Sequence, residues 1–215
     1  MIQFFINLDR SPDRQKKFDN KWSRWKATDY KDLEEDDPIF KRMCSFWNIN
    51  PNEHKAKSAC FLSHYYLLKH IVSQKLNQVV VCEDDAQLIN PIPSPEKLGN
   101  DFTYLGGFFS HLRMTDGPLK DTVTSQVGLN HLDRDSYRMI MFLSYYIPRW
   151  EIAQSMIDYF DSKARLRAID VMSHHIPITM NYWYPACFVE TPEQSTIRDK
   201  KNRHCDTHYF LSKKR

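Results

Sequence analysis

The 215-residue sequence lacks several features that would place it in a specialised class. It has only five cysteines and no C-x-x-C pair, which argues against a disulfide scaffold and predicts reduced thiols in a cytosol-like compartment. No apolar run approaches the roughly 20 residues that cross a bilayer, and the N-terminus turns polar too soon for a signal peptide. Thirty Lys and Arg against 27 Asp and Glu leave a charge too balanced for a dedicated nucleic-acid binder. We therefore expect a cytoplasmic protein with no membrane span and no nucleic-acid partner.

What is present is the composition of an ordinary globular protein. Hydrophobic residues make up 41% of the chain and aromatic residues 13%, which is too many for a disordered polypeptide. The length favours a single domain over residues 1–215, either alone or as the N-terminal domain of a longer protein.

Strand and helix patterns alternate along the chain. The apolar run Ile2–Ile6 predicts a strand, and Ser11-Pro12 after it predicts a capped helix whose apolar stripe is Phe18, Trp22 and Trp25. Later patterns predict a helix over 58–74, a buried strand over 78–82, a strand over 102–105 that ends at two glycines, a strand over 138–147 and a helix opened by Pro148. This alternation predicts an α/β fold of three layers with a mostly parallel central sheet.

Three adjacent carboxylates, Glu83, Asp84 and Asp85, follow the predicted buried strand. Ligands bind at the carboxyl ends of the strands in open parallel sheets, and hard oxygen ligands suit Mg²⁺ or Mn²⁺. On an extended segment, side chains two apart share a face, so Glu83 and Asp85 would form a D-x-D-like clamp with Asp84 turned elsewhere. The alternative is a surface turn whose acids are solvated or cap the next helix.

The sequence resembles glycosyltransferase family 25, the lipooligosaccharide and collagen-type galactosyltransferases. The resemblance rests on five segments in order, which are residues 5–14 (FINLDRSPDR), 60–64 (CFLSH), 79–86 (VVVCEDDA), 104–106 (YLG) and Ile169-Asp170. In size the chain is also similar to glycosyltransferase domains encoded by large algal viruses, which would place it in a host cytoplasm.

The resemblance implies a GT-A fold, a UDP-sugar donor and transfer of the sugar with inversion. The default donors are UDP-galactose and UDP-glucose, and the acceptor is a hydroxyl of a glycan or glycoprotein. It also implies a divalent ion, Mn²⁺ or Mg²⁺, at the acidic motif, with Glu83 and Asp85 as ligands and Asp84 beside them. A late histidine often completes such a site, and we prefer His208 over His204; a chance H-x-x-x-H spacing is the alternative.

Six further residues are candidates for the donor pocket. The end of the first strand could hold the nucleotide through backbone amides and guanidinium groups, or the same residues could simply cap and close the turn. Ser63 and His64 carry the family's Ser-His signature, although a histidine on an apolar helix row is commonly a packing residue. The candidates are Asn7, Leu8, Arg10, Arg14, Ser63 and His64.

An inverting transfer needs a base that takes the proton of the acceptor hydroxyl, and Asp170 is our candidate. Its alternative role is the N-cap of a short helix. The aromatic residues Tyr182, Trp183 and Tyr184 could stack on the acceptor sugar or belong to the core.

Two other functions use the same features. A metal-dependent nucleotidyltransferase or phosphoesterase also places paired carboxylates at a strand end. A non-catalytic nucleotide-sugar binding module could keep the fold without the chemistry.

Overall fold

The computed structural model of the protein describes residues 1–34, 36–44, 51–111 and 126–191. Within these ranges the chain forms nine strands: β1 (Ile2–Asn7), β2 (Trp22–Lys26), β3 (Val79–Glu83), β4 (Ala86–Leu88), β5 (Phe102–His111), β6 (Gly128–His131), β7 (Tyr137–Ile147), β8 (Met180–Tyr184) and β9 (Phe188–Glu190). It also forms six helices: α1 (Pro12–Gln15), α2 (Pro38–Cys44), α3 (Pro51–Ser73), α4 (Pro95–Leu98), α5 (Trp150–Asp161) and α6 (Ile169–Ser173).

All the strands belong to one large sheet with the order β2-β1-β3-β7-β5-β8-β6, and β4 and β9 pair beside this path. Strands β2, β1 and β3 are parallel to one another, as are β5 and β8, while β7 and β6 run antiparallel to their neighbours. The predicted α/β class with a mostly parallel central sheet is confirmed, and the arrangement is GT-A-like.

The sheet is buried on both faces, because alternate residues of its central strands enter two different cores. Phe4 and Val81 belong to the larger core with α3 and α5, whereas Phe5 and Val80 belong to the smaller one with α4. This explains why residues 79–82 read as a continuous apolar run without alternation. None of the described helices has the length and apolarity that a membrane span requires.

The helix predicted after Pro12 is wrong beyond its first turn. Pro12 does occupy the first helical position, but α1 ends at Gln15, and Trp22 begins the edge strand β2. Trp22 packs on the smaller core and Trp25 on the larger one. Two residues three apart lie on one side of a helix but on opposite faces of a strand, and here the strand buries both rings.

The strand predicted to end at Gly106 and Gly107 continues to His111. A Cβ on Gly106 would lie 2.7 Å from the Phe188 carbonyl oxygen and 2.7 Å from the Ser144 hydroxyl. Gly107 has a φ of 124°, and the β5–β7 register shifts on both sides of Gly106. The glycines therefore bend the strand at a β-bulge and let β9 approach it closely.

Candidate functional site

A cluster of carboxylates lies at the carboxyl end of β3, next to the end of the parallel strand β1. Strand β3 ends at Glu83, and Asp84 and Asp85 form a turn before β4, so the segment is not extended through Asp85 as predicted. Strand β4 pairs with β9, which sets Glu190 opposite Ala86 and close to these acids. We call Glu83, Asp84, Asp85 and Glu190 the acidic cluster.

Asp84 is fully engaged by side chains from the β1–α1 segment. Its Oδ1 accepts a hydrogen bond from the Arg14 guanidinium at 2.6 Å, and its Oδ2 accepts one from Asn7 Nδ2 at 2.8 Å. Both partners of the Arg14–Asp84 ion pair are largely shielded from water. Asp84 thus neutralises Arg14 and ties the ends of β1 and β3 together.

Asp85 differs from its neighbour, because its Oδ1 is buried and has no hydrogen-bond partner among the described residues. The residue is only 8% exposed. Its backbone carbonyl, by contrast, accepts hydrogen bonds from the amide and hydroxyl of Thr191. Burial raises the pKa of the Asp85 carboxyl, and repulsion from Glu83 and Glu190 raises it further. A cation would relieve both effects.

Glu83 is held by a buried histidine on α3. His64 Nε2 lies 3.1 Å from Glu83 Oε1, and His64 Nδ1 lies 3.0 Å from the Tyr145 hydroxyl. Burial lowers the pKa of His64 to about 3, while burial and then the Asp84 charge raise the pKa of Glu83 to about 8. Although these groups are near enough for an ion pair, both pKa values favour the neutral forms, so the contact is a hydrogen bond.

Two donor sets could hold a metal ion, and they share Glu83. In the first, ligand atoms of Cys60, His64 and Glu83 lie within 4.8 Å of one another. Both nitrogens of His64 are already hydrogen bonded, however, and burial raises the pKa of the Cys60 thiol, which would have to ionise. The second set, Glu83 with Asp85, has an unpartnered oxygen and suits a hard cation better. His204 and His208 lie outside the described residues.

The other β1–α1 candidates also make contacts within the protein. Asn7 Nδ2 donates to the Ser11 carbonyl, and Asn7 Oδ1 accepts from Arg24 Nε at 2.9 Å. The Leu8 carbonyl accepts from the Ser11 amide, while Arg10 is exposed and pairs with Asp29. The residues predicted to bind the donor therefore hold the β1–α1 loop together by contacts within the protein. That they also bind the donor stays a prediction.

An open groove of about 580 Å³ lies beside this loop. Phe5, Phe18 and Trp22 form its apolar wall, and Arg24 is at its edge. The groove contains none of the triplet carboxylates; it is joined to them only through hydrogen bonds from Arg24 to Asn7 and from Asn7 to Asp84. The groove is therefore a neighbouring surface that is separate from the acidic cluster.

Ser63 has a structural role in the described residues. Its hydroxyl donates to the Ala59 carbonyl at 2.7 Å and accepts from the Thr28 amide at 2.9 Å, and its own carbonyl accepts from Trp25 Nε1. These bonds fix the segment after β2 on α3. Of the Ser-His pair, only His64 reaches the acidic cluster.

Asp170 lies in the first turn of α6, and Ala168 is the N-cap, so the proposed capping role is wrong. Its Oδ1 accepts from the Val171 amide at 2.9 Å and its Oδ2 from the Met141 amide of β7 at 3.4 Å. The residue is partly exposed, and its charge contributes to the raised pKa of Glu83. The structure thus brings Asp170 near enough to the acidic cluster for its charge to act on Glu83.

The aromatic candidates on β8 divide between the two cores. Tyr182 is buried in the larger core and Tyr184 packs against it, whereas Trp183 packs partly on the smaller core. Tyr182 therefore belongs to the core, whereas Trp183 and Tyr184 are only partly buried and their contact with an acceptor sugar stays a prediction.

Glu190 was missed by reasoning from the sequence. The short strand Phe188–Glu190 pairs with β4, which is about a hundred residues away in the chain, and with β5. The only available signal was an apolar pair closed by an acid, which occurs at many strand ends.

A largely parallel sheet whose central strand ends in clustered carboxylates is typical of α/β enzymes that bind ligands at that edge. The chain belongs to glycosyltransferase family 25, since the family model described as "Glycosyltransferase family 25 (LPS biosynthesis protein)" matches residues 1–172. The match covers the triplet and Asp170 and stops before β8 and β9. No curated protein matches the chain. Family membership confirms the resemblance and indicates a transferase that acts in glycosyl transfer.

Proposed function

We propose that the protein transfers a hexose from a UDP-sugar, UDP-galactose or UDP-glucose, to a hydroxyl of a glycan or glycoprotein with inversion. The transfer requires Mn²⁺ or Mg²⁺. The observation that carries this proposal is the buried, unpartnered Oδ1 of Asp85 inside a group of mutually repelling carboxylates, in a chain of family 25.

An unpaired buried carboxylate costs several kcal/mol, as a rough figure, unless a cation or donor compensates it. Asp85 and Glu83 would hold the ion, with His208 as the predicted third ligand, while Asp84 is occupied by Arg14 and Asn7. Such an ion neutralises the charge that develops on the departing diphosphate. His64 positions Glu83 by its hydrogen bond at 3.1 Å.

Asp170 is the proposed base. Its carboxylate takes the proton of the acceptor hydroxyl as that oxygen bonds to the anomeric carbon and the bond to the diphosphate oxygen breaks. The amides of Val171 and Met141 fix the orientation of the carboxylate while leaving each oxygen further capacity to accept a hydrogen bond.

The first test is ligand-induced stabilisation. We expect UDP-galactose or UDP-glucose to raise the Tm only with Mn²⁺ or Mg²⁺ present, because a ligand at 100 times its Kd adds about 2.7 kcal/mol to the free energy of unfolding. The same samples are assayed for UDP release. Turnover of nucleoside triphosphates or phosphate esters without UDP-sugar turnover would instead indicate the nucleotidyltransferase or phosphoesterase, and tight UDP binding without turnover the binding module.

The decisive variant is Asp85→Asn, with Asp158→Asn as its control. Asp158 is an exposed acid on α5 that contacts Gln154, so the control removes the same charge away from the site. We expect Asp85→Asn to lower kcat at least about 100-fold, which corresponds to about 2.7 kcal/mol of lost transition-state stabilisation. The control keeps its activity. Equal activity of both variants would contradict the proposal.

A further inference from the structure

Basic side chains gather at the same edge of the sheet, on the far side of Asp170. Arg134 donates hydrogen bonds to the carbonyls of His174, at 3.2 Å, and Ile176. The rings of His174 and His175 pack edge to face with centroids 4.9 Å apart. Arg138 lies near the start of β7, the strand that α6 packs against. We call Arg134, Arg138, His174 and His175 the basic cluster.

Two atoms of the basic cluster are buried without a partner among the described residues. They are Arg138 Nε and His174 Nδ1. His174 is only 8% exposed, so water does not readily replace the missing partner. A guanidinium N–H is always a donor, and leaving it buried and unpaired is costly. An anionic oxygen is the group that would satisfy it.

The electrostatic surroundings favour the same kind of ligand. Burial lowers the pKa of His174 to about 4, and His175, Arg138 and Arg134 lower it further, while Asp135 opposes them. Burial also lowers the pKa of His175, followed by the charges of Arg138, Arg167, Arg134 and Lys163. Positive charge exceeds negative charge here, so a bound anion would be stabilised.

The position of the basic cluster relates it to the reaction. Strand β7 runs antiparallel to β3, with Ser144 opposite Cys82, so the start of β7 lies beyond the end of β3 where the acidic cluster is. Asp170 contacts β7 at Met141, between Ser144 and Arg138 along the strand. The order along the sheet edge is therefore acidic cluster, Asp170, basic cluster.

We propose that the basic cluster binds an anionic group, a phosphate or carboxylate, of the acceptor glycan. This inference rests on the proposed function, because it takes Asp170 as the residue that meets the acceptor hydroxyl. The acidic cluster consists of carboxyl groups and would attract an anion only through a bound cation, whereas the guanidinium groups of Arg134 and Arg138 attract an anion directly. The acceptor is therefore an acidic saccharide, with its charge held on the side of Asp170 away from the donor.

The test measures anion binding in the presence of a chelator, so that no cation recruits anions to the acidic cluster. The probes are inorganic phosphate, methyl β-glucuronide and the neutral methyl β-glucoside, and binding is followed by ligand-observed NMR at constant ionic strength. We expect phosphate to bind wild type and displace the glucuronide, and the glucuronide to bind at least ten-fold more tightly than the glucoside. Equal binding of the two glycosides, together with no binding of phosphate, would overturn the inference.

The variants locate the site. Arg138→Gln should weaken phosphate binding at least five-fold, and Arg149→Gln, an exposed arginine just past the opposite end of β7, should not. His175→Gln changes an exposed residue and serves as a second probe if Arg138→Gln fails to fold. If Arg138→Gln and His175→Gln both bound phosphate as tightly as wild type, the anion would bind elsewhere and the inference would be wrong.

Donor hydrolysis separates the two proposals. Release of UDP from UDP-galactose or UDP-glucose by wild type with Mn²⁺, in the absence of acceptor, requires the acidic cluster and does not require the basic cluster. Hydrolysis without anion binding would refute the acidic acceptor and leave the proposed function standing. Anion binding without any UDP-sugar turnover would refute the proposed function.

Discussion

The β1–β3 side and the β7–α6 side of the sheet edge treat their polar groups differently. On the first side Asn7, Arg14 and Asp84 satisfy one another, and within the described part of the chain Asp85 keeps an unpartnered buried oxygen. On the second side the unpartnered atoms among the described residues are a guanidinium nitrogen of Arg138, an imidazole nitrogen of His174 and the hydroxyl oxygen of Ser144. Paired polar groups stabilise the fold by themselves, whereas a buried polar group without a partner is costly and would be stabilised by a ligand. Their charges indicate a cation on one side and an anion on the other.

The contrast between a paired and an unpartnered carboxylate can be tested within the acidic triplet, on the neighbouring residues Asp84 and Asp85. We expect Asp84→Asn to lower the free energy of unfolding by about 3 kcal/mol, because it leaves the shielded Arg14 guanidinium without its counter-charge. We expect Asp85→Asn to raise the free energy of unfolding by about 1 kcal/mol without metal, because it removes a buried, repelled carboxylate.

Urea unfolding at pH 8 in a chelator measures both changes, and Asp158→Asn should stay within about 0.5 kcal/mol of wild type. If the two triplet variants were destabilised alike, Asp85 would be a structural residue like Asp84 and the distinction between them would fail.

The features of this sheet edge that could be predicted from the sequence are those determined by residues that are contiguous in the chain. The run over 78–82 is apolar on both faces and is followed at once by the triplet, so both the strand and the place of the acids follow from contiguous residues. The helix predicted through Trp25 was wrong because the spacing of Trp22 and Trp25 fits one side of a helix as well as the two faces of a strand, and only distant packing partners decide between the two.

The rest of the site depends on pairings that no local pattern encodes. Glu190 joins the acidic cluster through the β4–β9 pairing, and the charge of Arg138 acts on His174 because α6 packs on β7. Both contacts join residues far apart in the chain. The doublet His174-His175 was visible after Asp170, but its cationic neighbours were not.

A smaller effect is expected where the two sides are joined. Gly106 lets β9, which carries Glu190, approach β5 and β7. Gly106→Ala would place its Cβ 2.7 Å from the Phe188 carbonyl oxygen, so backbone must shift. We expect a loss of about 2 kcal/mol in the free energy of unfolding, measured in urea. Gly128→Ala, where no atom lies within 4 Å, tests backbone strain alone at its φ of 112°. Because Gly106 does not share the positive φ of Gly128, a Gly106→Ala variant as stable as wild type would mean that the close contact with β9 contributes nothing.

The smallest effect is a pH dependence of stability that belongs to the acidic side. The pKa of Glu83 rises from 4.5 to about 8 on folding. Between these values the native state binds more protons than the unfolded state, so the contribution of Glu83 to the free energy of unfolding falls as the pH rises. The pKa of His64 falls from 6.5 to about 3 on folding. The contribution of His64 to the free energy of unfolding therefore increases as the pH rises to 6.5 and does not change above that pH. His174, whose pKa falls to about 4, acts in the same direction as His64. Below pH 6.5 the opposing slopes offset one another. Above pH 6.5 the falling slope comes from Glu83 together with Asp85, whose pKa burial also raises.

We therefore expect the Tm in a chelator to fall between about pH 6.5 and 8, by the equivalent of about 1 to 2 kcal/mol. Glu83→Gln removes one of these titrating groups and should flatten this part of the curve, whereas Asp158→Asn should not. Saturating Mn²⁺ should flatten it as well, because an ion that binds the carboxylates displaces their protons and favours the charged state. If the Tm of Glu83→Gln fell with pH as much as that of wild type, other groups would cause the pH dependence. The acidic side of the sheet edge would then have no pH dependence of its own.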